Sequence, residues 1–369
     1  MRNPFATVTP QNPPVVRDLL RFNNIRESMM REPGKDVYSW LSEHLDIEHE
    51  RTMVIMTKTA FNVHALSDNY FKNLINLARI NDIRHINKFF HAINEKLPSG
   101  GFFSGCVETK GERKKRILGK YPVGINYTYY SFDFIFKRVF PKLPLTKKIY
   151  FRMTAGRNRV LSKTETYGRL YSCGFIIVTE RKINGKLYFI AKKVGEPYSG
   201  HAPSYGPICK MRRLGKNGKI ISVYKFRTMH PYAEYLQEYV YEKNNLQEGG
   251  KFKNDFRVTT LGKFMRKYWI DELPMLANLL RGDLKLFGVR PLSSHYLSLY
   301  SDELKETRAK VKPGLIPPFY ADLPKTLDEI QESEKRYLES YLKSPMLTDI
   351  RYFSKAIKNI LIKKGVRSN

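Results

Sequence analysis

Residues 194–207, VGEPYSGHAPSYGP, are rich in Gly and Pro and polar throughout, and the sequence changes character across them. No regular element runs through such a run, so it divides the chain into separately folded parts. The chain's 369 residues are too many for one small core and suit two domains of ordinary size. The expected organisation is a polar arm over 1–50, an α/β domain over 51–193, a linker over 194–207 and a smaller α/β domain over 208–369. A hydrophobic content of 42% is enough to fill two such cores.

The arm carries prolines at 4, 10, 13 and 14 and reads as irregular until a short helix near DVYSWLSEHLD. RTMVIMTKTAF then reads as a buried strand. Residues 68–101, DNYFKNLINLARINDIRHINKFFHAINEKLPSGG, show helical apolar spacing and end in a Pro-Ser-Gly-Gly stop. FFSGCVET is strand-like. Ser162 with Glu165 forms a capping box that opens a helix ending near Gly174. FIIVTERK, an Asn-Gly turn and KLYFIAKK predict a hairpin. Beyond the linker, KMRRLGKNGKIISVYKFRTM predicts two strands about a Gly-Lys-Asn-Gly turn. Helices are expected over 231–246, 260–268 and 273–281, and the tail TDIRYFSKAIKNILIKKGVRSN reads as a basic amphipathic helix.

The chain has 65 Lys and Arg against 35 Asp and Glu, a formal charge of +30. That field suits nucleic acid, an anionic membrane surface or phosphorylated substrates. No nucleic-acid motif accompanies it and the basic residues are spread along the whole length, so nucleic acid is not an expected partner. Cys106, Cys173 and Cys209 are too few and too far apart for a disulfide framework or a zinc site, and are expected as buried thiols of a reducing compartment. No stretch reaches the roughly 18 apolar residues of a spanning helix.

Against this basic background, RKYWIDELP at 266–274 sets Asp271 beside Glu272. Pro274 fits a helix only in its first turn, so a helix is expected to begin near 271–273, with an exposed acidic pair at the positive end of its dipole. Arg266 and Lys267 add positive charge that keeps both carboxylates ionised. An ionised carboxylate at a phosphate can hold Mg²⁺ or attack phosphorus. Taken alone, the dipeptide reads first as the ordinary capping of a helix start.

The surrounding order of motifs narrows this. From Gly206 to Gly314 the chain carries Gly-Pro, a basic strand with GKNG, KFRTM, DFRVTTLG, RKYWIDELP, NLLRG, GVRP and KPG. In that order they resemble the bacterial sugar transferases, the monotopic phosphoglycosyl transferases, over about residues 198–369. The resemblance implies a sugar-1-phosphate transfer from a UDP-sugar to a polyprenyl phosphate through an aspartyl intermediate. It implies Asp271 as nucleophile, Glu272 with Asp271 as ligands of Mg²⁺, and Lys225, Arg227, Arg266 and Arg290 around the phosphates. Arg227 could equally serve a structural ion pair. Asp255 and Arg257 are expected in a structural role, and Asn278, Gly282 and Gly288 as turn and packing positions. The location implied is the inner face of the bacterial cytoplasmic membrane, with peripheral contact through basic and aromatic surface including DIRYFSKAIKNILIKK. The alternative is a non-catalytic scaffold derived from such an enzyme.

Three departures from the family pattern stand out. Where the family has a long apolar re-entrant helix this chain has KLYFIAKKVGEPYSGHAPSY. Val289 replaces a Pro before Arg290-Pro291, and PGLIPPF replaces PGITG. The first half also has a likeness: helix, LPSGG, strand, helix, CGF and hairpin resemble the second half of a nucleotide-methyltransferase domain, making it a partial Rossmann-like fold. No G-x-G-x-x-G cofactor loop occurs, so no S-adenosylmethionine binding is expected.

Overall fold

The computed structural model describes residues 26–198, 205–244 and 255–363. By internal contacts the chain forms two compact units, residues 1–202 with 234–236, and residues 203–233 with 237–369. Both are mixed α/β.

In the first unit, five strands lie in the order β1-β2-β3-β5-β4. β1 (Thr52–Ile55), β2 (Asn73–Arg79) and β3 (Phe102–Val107) are parallel, whereas β5 (Lys186–Lys193) is antiparallel to both β3 and β4 (Phe175–Ile183). The Asn184-Gly185 turn joins β4 to β5, both residues at positive φ, as the dipeptide requires. Helix α1 (Lys35–His44) is not part of a loose arm: Val37, Trp40 and Leu41 pack with Ile75, Cys106 and Ile190.

The helix expected across 68–101 is corrected to a strand followed by a helix. Residues 73–79 form β2, and only Ile86–Lys96 is helical, as α2. A parallel strand covered on both faces loses the alternation that marks a half-exposed one. Leu74, Ile75 and Ala78 are therefore all buried, at a spacing that mimics a helix. The stop is as expected: α2 ends at Lys96, and the buried Lys193 ammonium donates to the Asn94 and Leu97 carbonyls at 2.9 and 3.0 Å.

Between β3 and β4 lie α3 (Lys110–Lys120), α4 (Ile125–Phe134), α5 (Pro144–Thr154) and α6 (Lys163–Ser172). Ser162 caps α6 by accepting from Glu165 N at 3.1 Å. The Glu165 carboxylate takes Arg138, Lys142 (3.1 Å) and Arg169 (3.1 Å). Those three cations hold it well below the usual carboxylate range despite full burial.

The second unit is built on an antiparallel hairpin, β6 (Ile208–Leu214) with β7 (Ile220–Phe226), and a short parallel pair, β8 (Lys285–Phe287) with β9 (Gly314–Ile316). Helices α7 (Gln237–Asn244), α8 (Thr260–Lys267) and α9 (Leu276–Leu280) follow β7, and α10 (Asp302–Ala309), α11 (Leu327–Lys343) and α12 (Pro345–Lys363) complete it. One core cluster gathers Ile221, Val223, Met275 and Leu284. A second gathers Phe287, Val289, Tyr337 and Leu338 with Ala356 of α12. Tyr352 and Phe353 pack against that cluster, so the tail helix spends part of its apolar face on its own domain. No helix among the described residues is long and apolar enough to cross a membrane, and residues 186–193 are strand β5.

Candidate active site

Strand β7 exposes its outer backbone edge to Asn278 of α9. Asn278 accepts from Tyr224 N at 3.1 Å and donates to the Ser222 carbonyl at 2.6 Å. This completely buried side chain clamps the turn before α9 onto β7, which fixes the position of Lys225 relative to that turn. The expected packing role of Asn278 thus has a defined geometry.

The turn is Ile270–Met275, a 3₁₀ segment starting one residue earlier than the sequence suggests. Trp269, at φ +53°, enters it in the left-handed region, and its carbonyl accepts from Glu272 N at 3.0 Å. A six-residue 3₁₀ turn aligns few peptide dipoles, so side-chain charges dominate the electrostatics. Lys225 Nζ lies 2.5 Å from Glu272 Oε1.

Arg266 arrives from α8. Thr259 caps that helix, accepting from Gly262 N at 2.8 Å, while Thr259 N donates to the Thr228 carbonyl at 2.9 Å. A Cβ on Gly262 would lie 2.0 Å from that same carbonyl, so only glycine permits the approach. One turn later Arg266 Nε donates to Thr228 Oγ1 at 3.0 Å. KFRTM and DFRVTTLGKFMRK therefore meet at Thr228. Asp255 and Arg257, expected in a structural role, form an ion pair with each other at 2.7 Å.

Asp271 is only 3% exposed. This corrects the expectation of an exposed, readily ionised pair: burial, reinforced by the Glu272 charge, pushes the Asp271 carboxyl up, against the opposing pull of Lys225 and Arg266. The same burial lowers the Lys225 ammonium, with Glu272 countering and Arg290 adding to the shift. Arg266 is likewise lowered by burial, and Asp271 opposes.

Arg290 is held by the short parallel pair. Gly314 N donates to Val289 O at 2.9 Å, and a Cβ on Gly314 would stand 2.1 Å from Gly288 N. The GVRP and KPG motifs are thus two sides of one close backbone crossing. The Arg290 guanidinium lies over the Phe319 ring at 5.9 Å, and its carbonyl accepts from Arg308 at 2.5 Å. The charges of Lys225, Glu272 and Arg266 act on Asp271, and those of Glu272 and Arg290 act on Lys225. Arg227 Nε donates to the Gly206 carbonyl at 2.9 Å, tying the end of β7 to the Gly-Pro motif that precedes β6.

Two neighbours had no signal in the sequence. Tyr320 accepts from the Trp269 indole at 3.2 Å, and burial with the nearby Glu272 charge pushes its phenol up to about 12. Both rings belong to stretches that read as ordinary aromatic packing, and Tyr320 follows the departure PGLIPPF. A groove of about 390 Å³ lined by Ser301, Thr307, Asp328 and Lys335 contains none of these residues.

Residues 201–363 match the bacterial sugar transferase family. The chain is 33% identical over 168 residues to the galactosyl transferase CpsE of Streptococcus agalactiae serotype III, covering 44% of this chain and 36% of that one. It is 32% identical over 161 residues to the undecaprenyl-phosphate galactose phosphotransferase of Salmonella typhimurium, covering 42% and 33%. A UDP-N-acetylgalactosamine-undecaprenyl-phosphate N-acetylgalactosaminephosphotransferase of Aeromonas hydrophila is 31% identical over 175 residues, covering 44% and 38%. The chain therefore spans little more than a third of the length of these relatives. Among solved structures, a possible exported protein from Bordetella parapertussis aligns at a TM-score of 0.23 and 14% identity over 37% of this chain and 42% of that one, a likeness too weak to carry an argument.

Proposed function

Taking as premise that residues 201–363 belong to the bacterial sugar transferase family, we propose that the protein transfers a sugar-1-phosphate from a UDP-sugar to a polyprenyl phosphate through an aspartyl intermediate on Asp271. The observation that carries this reading is a nearly buried carboxylate, Asp271, adjoining Glu272, whose carboxylate Lys225 holds at 2.5 Å, within the fields of Lys225 and Arg266. A diphosphate entering such a group meets fixed positive charge where water is scarce, which favours attack by an anion that it would otherwise repel.

In the proposed first step an Asp271 oxygen forms a bond to the β-phosphorus, which bears the sugar. The bond from that phosphorus to the bridging oxygen breaks, and UMP leaves with the electron pair. In the second step an oxygen of the polyprenyl phosphate attacks the same phosphorus, and the Asp271 carboxylate departs unchanged. Lys225, Arg266 and Arg290 orient the phosphates, and the neutral Tyr320 phenol bounds the site. Among the described residues no group of three or more His, Cys, Asp or Glu side chains could hold a metal. Two adjacent carboxylates nevertheless fit Mg²⁺, which takes few protein oxygens and completes its shell with phosphate and water. Asp271 and Glu272 would hold it, and when bound it supplies neutralising charge on the diphosphate. A lipid acceptor requires contact with a membrane surface, which we place at the inner face of the cytoplasmic membrane, where UDP-sugars are available.

The test is UMP release from a panel of UDP-sugars with Mg²⁺ and undecaprenyl phosphate. Catalytic UMP release with at least one sugar is expected. A folded protein that releases none from any sugar would favour the scaffold reading.

A further inference from the structure

The first unit contains two helices that turn apolar residues outward, and in one of them the amphipathicity is reversed. In α2 the apolar residues Phe89, Phe90 and Ile93 are buried, as usual. In α4 the buried residues are Asn126 and Asp133, while Ile125, Tyr129 and Phe132 are exposed, Phe132 by 71%. The inward polar groups are satisfied: Asn126 donates to the Leu118 carbonyl at 3.1 Å, and Asp133 takes Arg113 at 2.6 Å and Lys137 at 3.0 Å. A buried ion pair thus fixes the helix with its apolar side turned out.

Helix α5 also turns apolar residues outward, although its inward anchor is aromatic. Tyr150 is fully buried and packs edge-on to Phe136, the residue two beyond α4, at 5.4 Å. Leu145, Ile149 and Met153, four apart, form one stripe along the helix, exposed by 87%, 59% and 70%. Lys148 and Arg152 interleave with that stripe at helical spacing, and both are exposed, as is Lys147.

Charge identifies what such a face meets. Residues 110–157 contain thirteen Lys and Arg and two acids, Glu112 and Asp133; Arg113, Arg138 and Lys142 are spent on internal ion pairs, whereas Lys114, Lys115, Lys120, Lys147, Lys148 and Arg152 are exposed. Both acids are engaged, Glu112 by Lys182 at 3.3 Å and Asp133 by Arg113. An outward apolar stripe set among cations suits a surface with phosphates outside and hydrocarbon just beneath.

We propose that α4 and α5 dock the protein on an anionic lipid membrane, with Phe132, Leu145, Ile149 and Met153 entering the boundary between headgroups and acyl chains and Lys147, Lys148 and Arg152 meeting the lipid phosphates. This surface lies outside the residues matched to the transferase family and stands independently of the chemistry at Asp271. It moves the principal membrane contact away from the tail helix, part of whose apolar face is already packed inward.

The experiment is co-sedimentation of the full chain with phosphatidylcholine vesicles, with and without phosphatidylglycerol, at low and high salt. Wild type should bind the anionic vesicles and release at high salt. The triple variant Phe132→Ser, Leu145→Ser, Met153→Ser should lose roughly tenfold or more in affinity with an unchanged melting curve, since all three side chains are exposed. Lys147→Glu, Lys148→Glu, Arg152→Glu, which keeps the apolar residues, should lose the preference for anionic vesicles and provides a second arm should the first variant misfold. Leu347→Ser with Ile350→Ser in α12 should bind nearly as wild type. Wild-type binding by both triple variants would overturn the proposal. So would loss confined to the α12 variant, or wild-type dimers that the apolar triple variant dissociates, which would make the face a contact between copies of this chain.

Discussion

Lys225 Nζ and Glu272 Oε1 stand 2.5 Å apart, joining strand β7 to the turn that carries Asp271, with both side chains about 15% exposed. Replacing Glu272 leaves the largely buried Lys225 ammonium without its hydrogen-bonded carboxylate. Glu272→Gln should therefore lower stability by about 1–3 kcal/mol in urea unfolding. Lys225→Met combined with Glu272→Gln should cost less than the sum of the two, the mark of direct coupling. Turnover of Glu272→Gln should fall, and raised Mg²⁺ should restore part of it.

Asp271 has the opposite sign. Its folded carboxyl is raised above the unfolded value of about 3.9, so the folded state holds the proton more tightly. Its stabilising contribution is complete below that value and is lost as pH rises through the folded one. At neutral pH the buried charge opposes folding, and Asp271→Asn should melt at a higher temperature than wild type. The advantage should shrink as the solution is acidified. Wild-type turnover should rise across the same interval, at higher pH than an exposed aspartate would give, because only the ionised form attacks. Melting temperature and turnover followed against pH check both.

The glycine crossings test the scaffold under the site. Gly314→Ala places a Cβ 2.1 Å from Gly288 N, where backbone faces backbone and no side chain can yield. It should cost about 3 kcal/mol or more, or prevent folding. Gly262→Ala meets the Thr228 carbonyl at 2.0 Å and should displace α8, and Arg266 with it. Denaturant midpoints give the first effect and UMP release the second.

Tyr320→Phe keeps the ring but removes the acceptor of the Trp269 indole. A loss of about 0.5–1.5 kcal/mol is expected, with a shift in tryptophan emission as the indole seeks another partner. An unchanged alkaline side of the pH–rate profile is also expected, since a phenol pushed up to about 12 does not titrate in the working range.

Much of this arrangement was legible in the sequence where local chemistry acts alone. The Asn184-Gly185 hairpin, the Ser162 cap and the β6–β7 hairpin each follow from neighbouring residues. β2 was not, because burial on both faces erased its alternation, and only the sheet supplies that burial. At the site, motif order brought Lys225, Arg266, Asp271, Glu272 and Arg290 forward together. The burial of Asp271 depends on Asn278 clamping its turn to β7, across 54 residues of chain from Tyr224, and no local pattern records that. Tyr320 was missed for the same reason. The outward apolar faces of α4 and α5 show as a basic aromatic stretch in sequence, but which side is turned outward is set by the Arg113–Asp133 pair in α4 and by buried Tyr150 against Phe136 in α5.

The central claim is the covalent intermediate, and intact mass spectrometry addresses it directly. The protein is incubated with a panel of UDP-sugars and Mg²⁺ in the absence of lipid acceptor, and its mass is compared with that of Asp271→Asn treated alike. The expected result is one added phosphosugar on the wild type with a matching sugar, located on Asp271 by fragmentation and discharged on adding polyprenyl phosphate, and none on the variant. Turnover to product by a folded Asp271→Asn at the wild-type rate, or an adduct at a residue other than Asp271, would contradict the account.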